Sequence, residues 1–264
     1  MDLGLEGKRA LVTGSTAGIG LATARLLAAE GAAVVVNGRT ESRVGQAVDE
    51  IRSQVAGARV SGVAADLGNA EGCHRVFERV REVDILVNNV GIFEPRPFEE
   101  IDDSDWQRFF EVNVMSGVRM SRYYLPGMRA RDWGRIVFVS SESALQIPGE
   151  MIHYGMTKTA QIAVARGIAE TTAGSGITVN SVLPGPTASE GVETFVRQMA
   201  AARGTDFKTM EREFFATARP SSLLKRFATP QEVASMIVYV CSARAAATNG
   251  AALRVDGGVV RAIV

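Results

Sequence analysis

Tyr154 and Lys158 stand four residues apart in Tyr154-Gly155-Met156-Thr157-Lys158, a spacing that puts a phenol and an ammonium on one face of a helix. A phenol with a pKa of about 10 is a poor acid–base catalyst at neutral pH. A cation held beside it favours the phenolate and lowers that pKa toward the working range. Ser141 lies thirteen residues before Tyr154, at the end of an apolar run, where its hydroxyl can meet a substrate oxygen beside the phenol. Asn113, in Glu111-Val112-Asn113-Val114-Met115, falls in the middle of a helical pattern, an awkward place for a side chain that competes with backbone hydrogen bonds. Buried there it needs partners: a water linking it to Lys158, or backbone that it braces. Tyr–Lys pairs at this spacing are common on helix surfaces, so the pair gains meaning only from its surroundings.

A second group has the chemistry of a phosphate cradle. Thr13-Gly14-Ser15-Thr16-Ala17-Gly18-Ile19-Gly20 follows an apolar run and opens an Ala- and Leu-rich segment. Gly14 permits a tight turn, and Gly18 and Gly20 let backbone approach a diphosphate and pack helix against strand. The free N–H groups of the helix start then face the anion. The spacing is G-x-x-x-G-x-G rather than the commoner G-x-G-x-x-G, and a plain glycine-rich turn would use the same letters. Asp66, before Leu67, ends a later strand pattern, where it accepts from an adenine amino group or caps the next helix. Asn89 and Gly91, in Asn88-Asn89-Val90-Gly91, mark either a close approach of backbone to a ligand or an ordinary turn.

The elements that must hold these groups alternate. Apolar β runs at 10–13, 33–36, 58–64, 84–87, 135–139, 177–182 and 251–255 are separated by helical patterns at 18–30, 40–55, 70–82, 103–130, 152–173 and 230–242. Parallel strands need such crossovers, so the string predicts an α/β doubly wound parallel seven-stranded sheet, Rossmann-like, in a single domain of 1–264. The exception is 187–228, a long excursion at a strand's C-terminal end that reads as a substrate lid. It carries Phe195, Met199, Phe207, Met210, Phe214 and Phe215, apolar bulk that closes over a substrate or simply packs the lid's own helices.

Composition excludes several other classes. With 29 basic and 29 acidic residues, the chain has no electrostatic footprint for nucleic acid or anionic membrane. Two cysteines and two histidines, scattered as Cys73, His74, His153 and Cys241, make neither a metal site nor a disulfide framework. The N-terminus lacks the apolar core of a signal peptide, and no run is long enough to span a bilayer. A cytoplasmic protein is expected.

Taken together, these motifs resemble the short-chain dehydrogenase/reductase family over essentially the whole chain. Four match in order: Thr13-Gly14-x-x-x-Gly18-Ile19-Gly20, Asn88-Asn89-x-Gly91, Ser141 with Tyr154-x-x-x-Lys158, and Asn180 leading to Pro184-Gly185. The resemblance implies strand order 3-2-1-4-5-6-7 and a tetrad of Asn113, Ser141, Tyr154 and Lys158, with Lys158 also bonding the nicotinamide ribose. It implies that Pro184, Gly185, Thr187 and Ser189 face the nicotinamide, and that the assembly is a homotetramer. The activity it implies is hydride transfer between a nicotinamide cofactor and a carbonyl or alcohol. Val90 replaces the family's usual alanine, and Ala17 stands where many NADP-dependent relatives carry a basic residue. Gly38 occupies the place of an acidic residue that would hold an NAD ribose, and Arg39 follows it. Arginine suits a 2′-phosphate, so NADP is favoured over NAD.

The substrate pocket is expected among Ile92, Phe93, Glu94, Ser143, Gln146 and Ile147 together with the lid, and Glu94 and Glu142 hint at a polar, hydroxylated substrate. An alternative within the family is 3-oxoacyl-(acyl carrier protein) reductase, whose basic docking positions read Asp132 and Ser175 here. A non-catalytic, cofactor-sensing regulator on the same fold is the other alternative, and the intact Tyr–Lys pair speaks against it.

Overall fold

Runs such as Ala33-Val34-Val35-Val36 and Ile177-Thr178-Val179 are buried on both faces, which a parallel sheet covered by helices on each side requires. The computed structural model describes residues 1–263, apart from the side chains of Phe195, Gln198, Met199 and Ala201. Phe195 and Met199, expected in the lid, therefore lie outside the described side chains. Seven strands form one parallel sheet: β1 (Arg9–Val12), β2 (Ala33–Gly38), β3 (Val60–Ala64), β4 (Ile85–Asn88), β5 (Gly134–Val139), β6 (Ile177–Pro184) and β7 (Ala252–Val255). Their order is β3-β2-β1-β4-β5-β6-β7. Val12 pairs with Val36 on one side and Val87 on the other, so the winding reverses between β1 and β4 and opens a crevice at their carboxyl ends.

Helices α1 (Gly18–Ala29), α2 (Glu41–Gln54) and α9 (Pro230–Cys241) cover one face, burying Leu27, Ile51 and Ile237 against Val34 and Val137. On the other face α3 (Ala70–Arg79), α5 (Ser116–Ala130) and α6 (Ile152–Glu170) close over Leu11, Leu86 and Ile136 with Val76, Met120 and Ala165. Local chemistry fixes the helix starts. Thr229 and Glu232 form a reciprocal capping box at α9, and Thr40, Asn69 and Asp102 cap α2, α3 and α4 (Asp103–Phe110), each occupying backbone donors that would otherwise lack partners. At α1 the cap position is Ala17, with no side-chain cap. Its N–H groups remain open to an anion.

The helix expected over 103–130 is not continuous. A π-helical turn, Glu111–Met115, separates α4 from α5. Its centre is Asn113, whose fully buried side chain is drawn onto the loop after β4. Such inserted turns commonly mark functional sites. Beyond β6 the chain forms α7 (Glu190–Ala202) and α8 (Phe207–Thr217), whose Val196, Met210 and Phe215 make a small core of their own with Phe227.

Candidate active site

The turn after β1 is built by hydrogen bonds from neighbouring strands. Thr13 Oγ1 donates to the Val87 carbonyl and accepts from the N–H groups of Asn89 and Val90, tying β1 to the end of β4. Gly14 and Gly18 have φ of +58° and +55°, backbone that only glycine adopts without strain. Gly20 has a different function: a Cβ there would lie 2.5 Å from the Gly14 carbonyl, so it serves helix packing. Ser15 is fully buried, donating to the Val12 carbonyl and accepting from the Asn37 N–H, and is a brace beneath the loop. Asn89 Nδ2 donates to the carbonyls of Thr13 and Gly14. A further brace, absent from the expected set, is Asn37: its Oδ1 accepts from Gly14 N–H, and its Nδ2 donates to the carbonyls of Val63 and Ala65. Its signal was a polar residue inside an otherwise apolar strand.

At the adenosine end, Arg39 is exposed just beyond β2, and Thr16 packs beside Gly38. Asp66 neither caps a helix nor is buried; its carboxylate accepts from Gly68 N–H, and Asn69 is the cap of α3. Leu67 is the residue expected beside Asp66 at the cofactor. It is buried in the core, leaving only its backbone for such a contact.

Tyr154 lies at the start of α6, stacked edge-on against Phe93 with ring centroids 6.3 Å apart. Ser141 Oγ donates to Glu142 Oε2 at 2.5 Å and accepts from Ser143 N–H. The serine's one proton therefore faces Glu142. Burial pushes the Tyr154 phenol well above its ordinary value; the Ser141 hydroxyl beside it opposes this, the Glu142 charge adds to it, and Arg219 counters it. The expected lowering of the phenol by Lys158 is not what this geometry gives. The ammonium stands 5.6 Å from the Tyr154 ring centroid and turns to the Val139 carbonyl and Gln161 Oε1, at 3.0 and 3.2 Å. Burial pulls the Lys158 ammonium down to about 8.

Asn113 Oδ1 accepts from Ile92 N–H, while its Nδ2 donates to the Ile92 carbonyl and Thr157 Oγ1. Protein also links Asn113 to Lys158: Gln161 Nε2 donates to the Asn113 carbonyl and Gln161 Oε1 accepts from the ammonium. Gln161, 1% exposed, was not among the expected residues. It lies three residues beyond Lys158 on the same helical face, which is the signal that would have found it.

One cavity of about 670 Å³ joins these parts. Gly18, Ile19, Asn89 and Gly91 line one end, Ser141, Ser143, Tyr154 and Lys158 the middle, and Pro184, Gly185, Thr187 and Ser189 the facing wall. Phe93 stands at its edge, and Met210 and Phe214 of α8 form its roof. Glu94 and Ile147, expected in the pocket, do not line it. Glu94 is held outside the cavity by Arg96 and Arg108, and Ile147 is an exposed side chain beside Gly155. Glu142 and Arg219 line the cavity instead, paired at 3.3 Å.

The uncapped start of α1, the left-handed Gly14 and Gly18, and Gly91, where a Cβ would come within 3.2 Å of Lys158 Nζ, fit a dinucleotide laid along the crevice. Comparison with known proteins agrees. Residues 8–200 match the family model described as short chain dehydrogenase. The chain is 48% identical over its full length, and that of the relative, to an oxidoreductase of Bacillus subtilis strain 168 designated YvaG. It is 32% identical to the 3-oxoacyl-[acyl-carrier-protein] reductase FabG of Aquifex aeolicus, over 98% of this chain and all of the other. Among solved structures, L-sorbose reductase from Gluconobacter frateurii, complexed with NADPH and L-sorbose, superimposes with a TM-score of 0.94 at 36% identity, both chains covered completely. The chain belongs to the short-chain dehydrogenase/reductase family and is an oxidoreductase using NAD(P) on carbonyl or alcohol groups.

Proposed function

We propose that this oxidoreductase prefers NADPH and reduces a small-molecule carbonyl, or oxidises the matching alcohol, with Tyr154 as the general acid or base. The observation that carries the reading is the placement of Tyr154 and Ser141 together on the wall of the cavity that Gly18, Lys158 and Pro184 also line. The bound nicotinamide supplies or accepts the hydride. Tyr154 gives its proton to the carbonyl oxygen in reduction and takes it back in oxidation. Ser141 orients the same oxygen, Lys158 holds the ribose, and Asn113 braces the loop at Ile92 that borders the pocket. Residues 187–228 form a lid on a single domain.

The support for NADPH is Arg39 beyond β2 without a carboxylate at Gly38, together with the NADPH held by the Gluconobacter reductase. A cytoplasmic homotetramer is part of the proposal, with α5, α6 and β7 as its contact elements. Among the described residues no helix is long and apolar enough to cross a membrane.

A second reading, reduction of 3-oxoacyl groups on acyl carrier protein, is favoured by the Aquifex relative. The arginines near the docking position are committed internally: Arg129 to Thr171, Arg131 to the Val83 carbonyl, and Arg135 to backbone carbonyls in the core. That favours a free small molecule over the carrier protein.

Tyr154→Phe tests the chemistry. It removes one oxygen and keeps the ring, so kcat should fall by about a hundredfold or more while NADPH affinity stays within a few-fold. A kcat within tenfold of the parent sinks the assignment.

A further inference from the structure

We propose that Glu142, locked to Arg219 of the lid, is a specificity-determining residue that selects neutral, hydroxylated carbonyl substrates and rejects carboxylate-bearing ones. The inference rests on carbonyl reduction at Tyr154.

Glu142 follows Ser141 directly and is 5% exposed, yet it lines the cavity. Its partner Arg219 comes from the far side of the pocket, seventy-seven residues along the chain. A buried ion pair of this kind is costly to desolvate and is a poor device for stability. A pair in an active-site wall, in contact with the catalytic serine, is better placed for recognition.

Its lone pairs are not exhausted. Oε2 takes the Ser141 proton and Oε1 takes Arg219 Nε, and each carboxylate oxygen can accept twice. A substrate hydroxyl near the reacting carbonyl therefore finds an acceptor one residue from Ser141.

Charge decides what is refused. The guanidinium of Arg219 serves two carboxylates, Glu142 at 3.3 Å and Glu150 at 3.1 Å, and has no charge left for a substrate anion. Arg203 pairs with Glu213, and Glu190 with Arg43. Lys158, the remaining cation on the wall, is turned to Val139 and Gln161. A substrate carboxylate entering beside Ser141 would meet Glu142 in a water-poor site, where like charges repel strongly. A hydroxyl in the same place gains a charge-assisted bond.

The test uses three ketones on one four-carbon skeleton with NADPH: 4-hydroxybutan-2-one, acetoacetate and butan-2-one. The parent enzyme should show kcat/KM for the hydroxyketone at least about tenfold above that for acetoacetate, an energy of about 1.4 kcal/mol. Glu142→Gln keeps the shape and removes the charge, so the ratio should collapse toward unity through a gain on acetoacetate. Arg219→Met leaves Glu142 unbalanced and should move the ratio the opposite way. Altered orientation of Ser141 affects all three ketones alike and cancels from the ratio. A parent that prefers acetoacetate, or a ratio that neither substitution moves while butan-2-one is still reduced, overturns this proposal alone. Absence of turnover on all three in the parent overturns the carbonyl-reductase reading with it.

Discussion

Lys158 donates to Gln161 Oε1 at 3.2 Å, and among the described residues no carboxylate is a hydrogen-bond partner of its ammonium. A buried cation held only by neutral acceptors is sensitive to each of them. If catalysis uses the protonated lysine, kcat/KM for the cofactor should fall as pH rises through about 8, the value to which burial pulls Lys158. Gln161→Glu adds an opposite charge and should move that alkaline limb upward; Gln161→Leu removes an acceptor and should move it downward. The leucine variant should also lose about ten- to a hundredfold in kcat/KM, the effect of one hydrogen bond to a charged group. Three coincident pH profiles would show that Gln161 only fills space.

The same depressed lysine makes a prediction about stability. In the unfolded chain its pKa is about 10.4, so between about 8 and 10.4 the unfolded state binds more protons and stability rises with pH. The penalty of burying the cation is present in full below about 8 and is relieved as pH climbs. Lys158→Met removes that term. It also leaves the Val139 carbonyl and Gln161 unpaired, so the sign of the difference at one pH decides nothing. The stability of the parent minus that of the variant should grow by up to about 3 kcal/mol between pH 7 and pH 10.5. Urea melts of the two ligand-free proteins at both values measure it, and a constant difference would place the lysine's titration elsewhere.

What the sequence made legible follows from how local each signal is. Strand runs such as Ala33–Val36 and the glycine turn at Gly14–Gly20 are written in consecutive letters, and both emerged where expected. The strand order came from the resemblance. The π turn at Asn113 was half visible, as a polar side chain where a helix wants none; which bonds it makes depends on Ile92, twenty-one residues away. Gln161 lay in reach of a helical-face argument. Arg219 did not, because its partners Glu142 and Glu150 are about seventy residues distant and nothing in a charged loop announces an ion pair. Glu94 and Ile147 misled for a different reason. Their place near the motif was right, but Arg96 and Arg108 in one case and the space over Gly155 in the other decided where they point.

The lid should be the part of the ligand-free enzyme that exchanges amide protons fastest, and it should gain protection once NADPH and substrate are bound. Its small core of Val196, Met210, Phe215 and Phe227 is separate from the two clusters that flank the sheet, and such satellites open with less free energy than the whole fold. Its polar anchors lie at its two ends: Arg43 to Glu190 at the cofactor end, and at the other Arg219 to Glu142 and Glu150, Ser221 to the Val259 carbonyl, Leu223 and Leu224 to the Gly257 carbonyl, and Arg226 to Glu232. Hydrogen exchange over 187–228 that is equally slow with and without ligands would rule out a closing lid.

NADPH should be preferred to NADH, with Arg39 carrying most of the preference. A 2′-phosphate brings nearly two negative charges to a loop with no carboxylate at Gly38 and an exposed guanidinium at Arg39. One charge-assisted bond of this kind is worth about 1.5–3 kcal/mol, or roughly ten- to a hundredfold in affinity. Arg39→Ala should therefore weaken NADPH by that factor and leave NADH nearly unchanged. The mirror experiment needs two substitutions. A Cβ at Gly38 would lie 2.4 Å from Thr16 Cγ2, and a β-branched threonine has little freedom to yield. Gly38→Asp alone should weaken both cofactors through displacement of the loop. Combined with Thr16→Ala, the carboxylate has room to take the ribose hydroxyls and repel the phosphate, and the preference should reverse toward NADH. The measurement is kcat/KM for both cofactors in the parent, Arg39→Ala and the double variant. A parent that favours NADH, or an Arg39→Ala loss shared equally by the two cofactors, would show that Arg39 is only a solvated side chain.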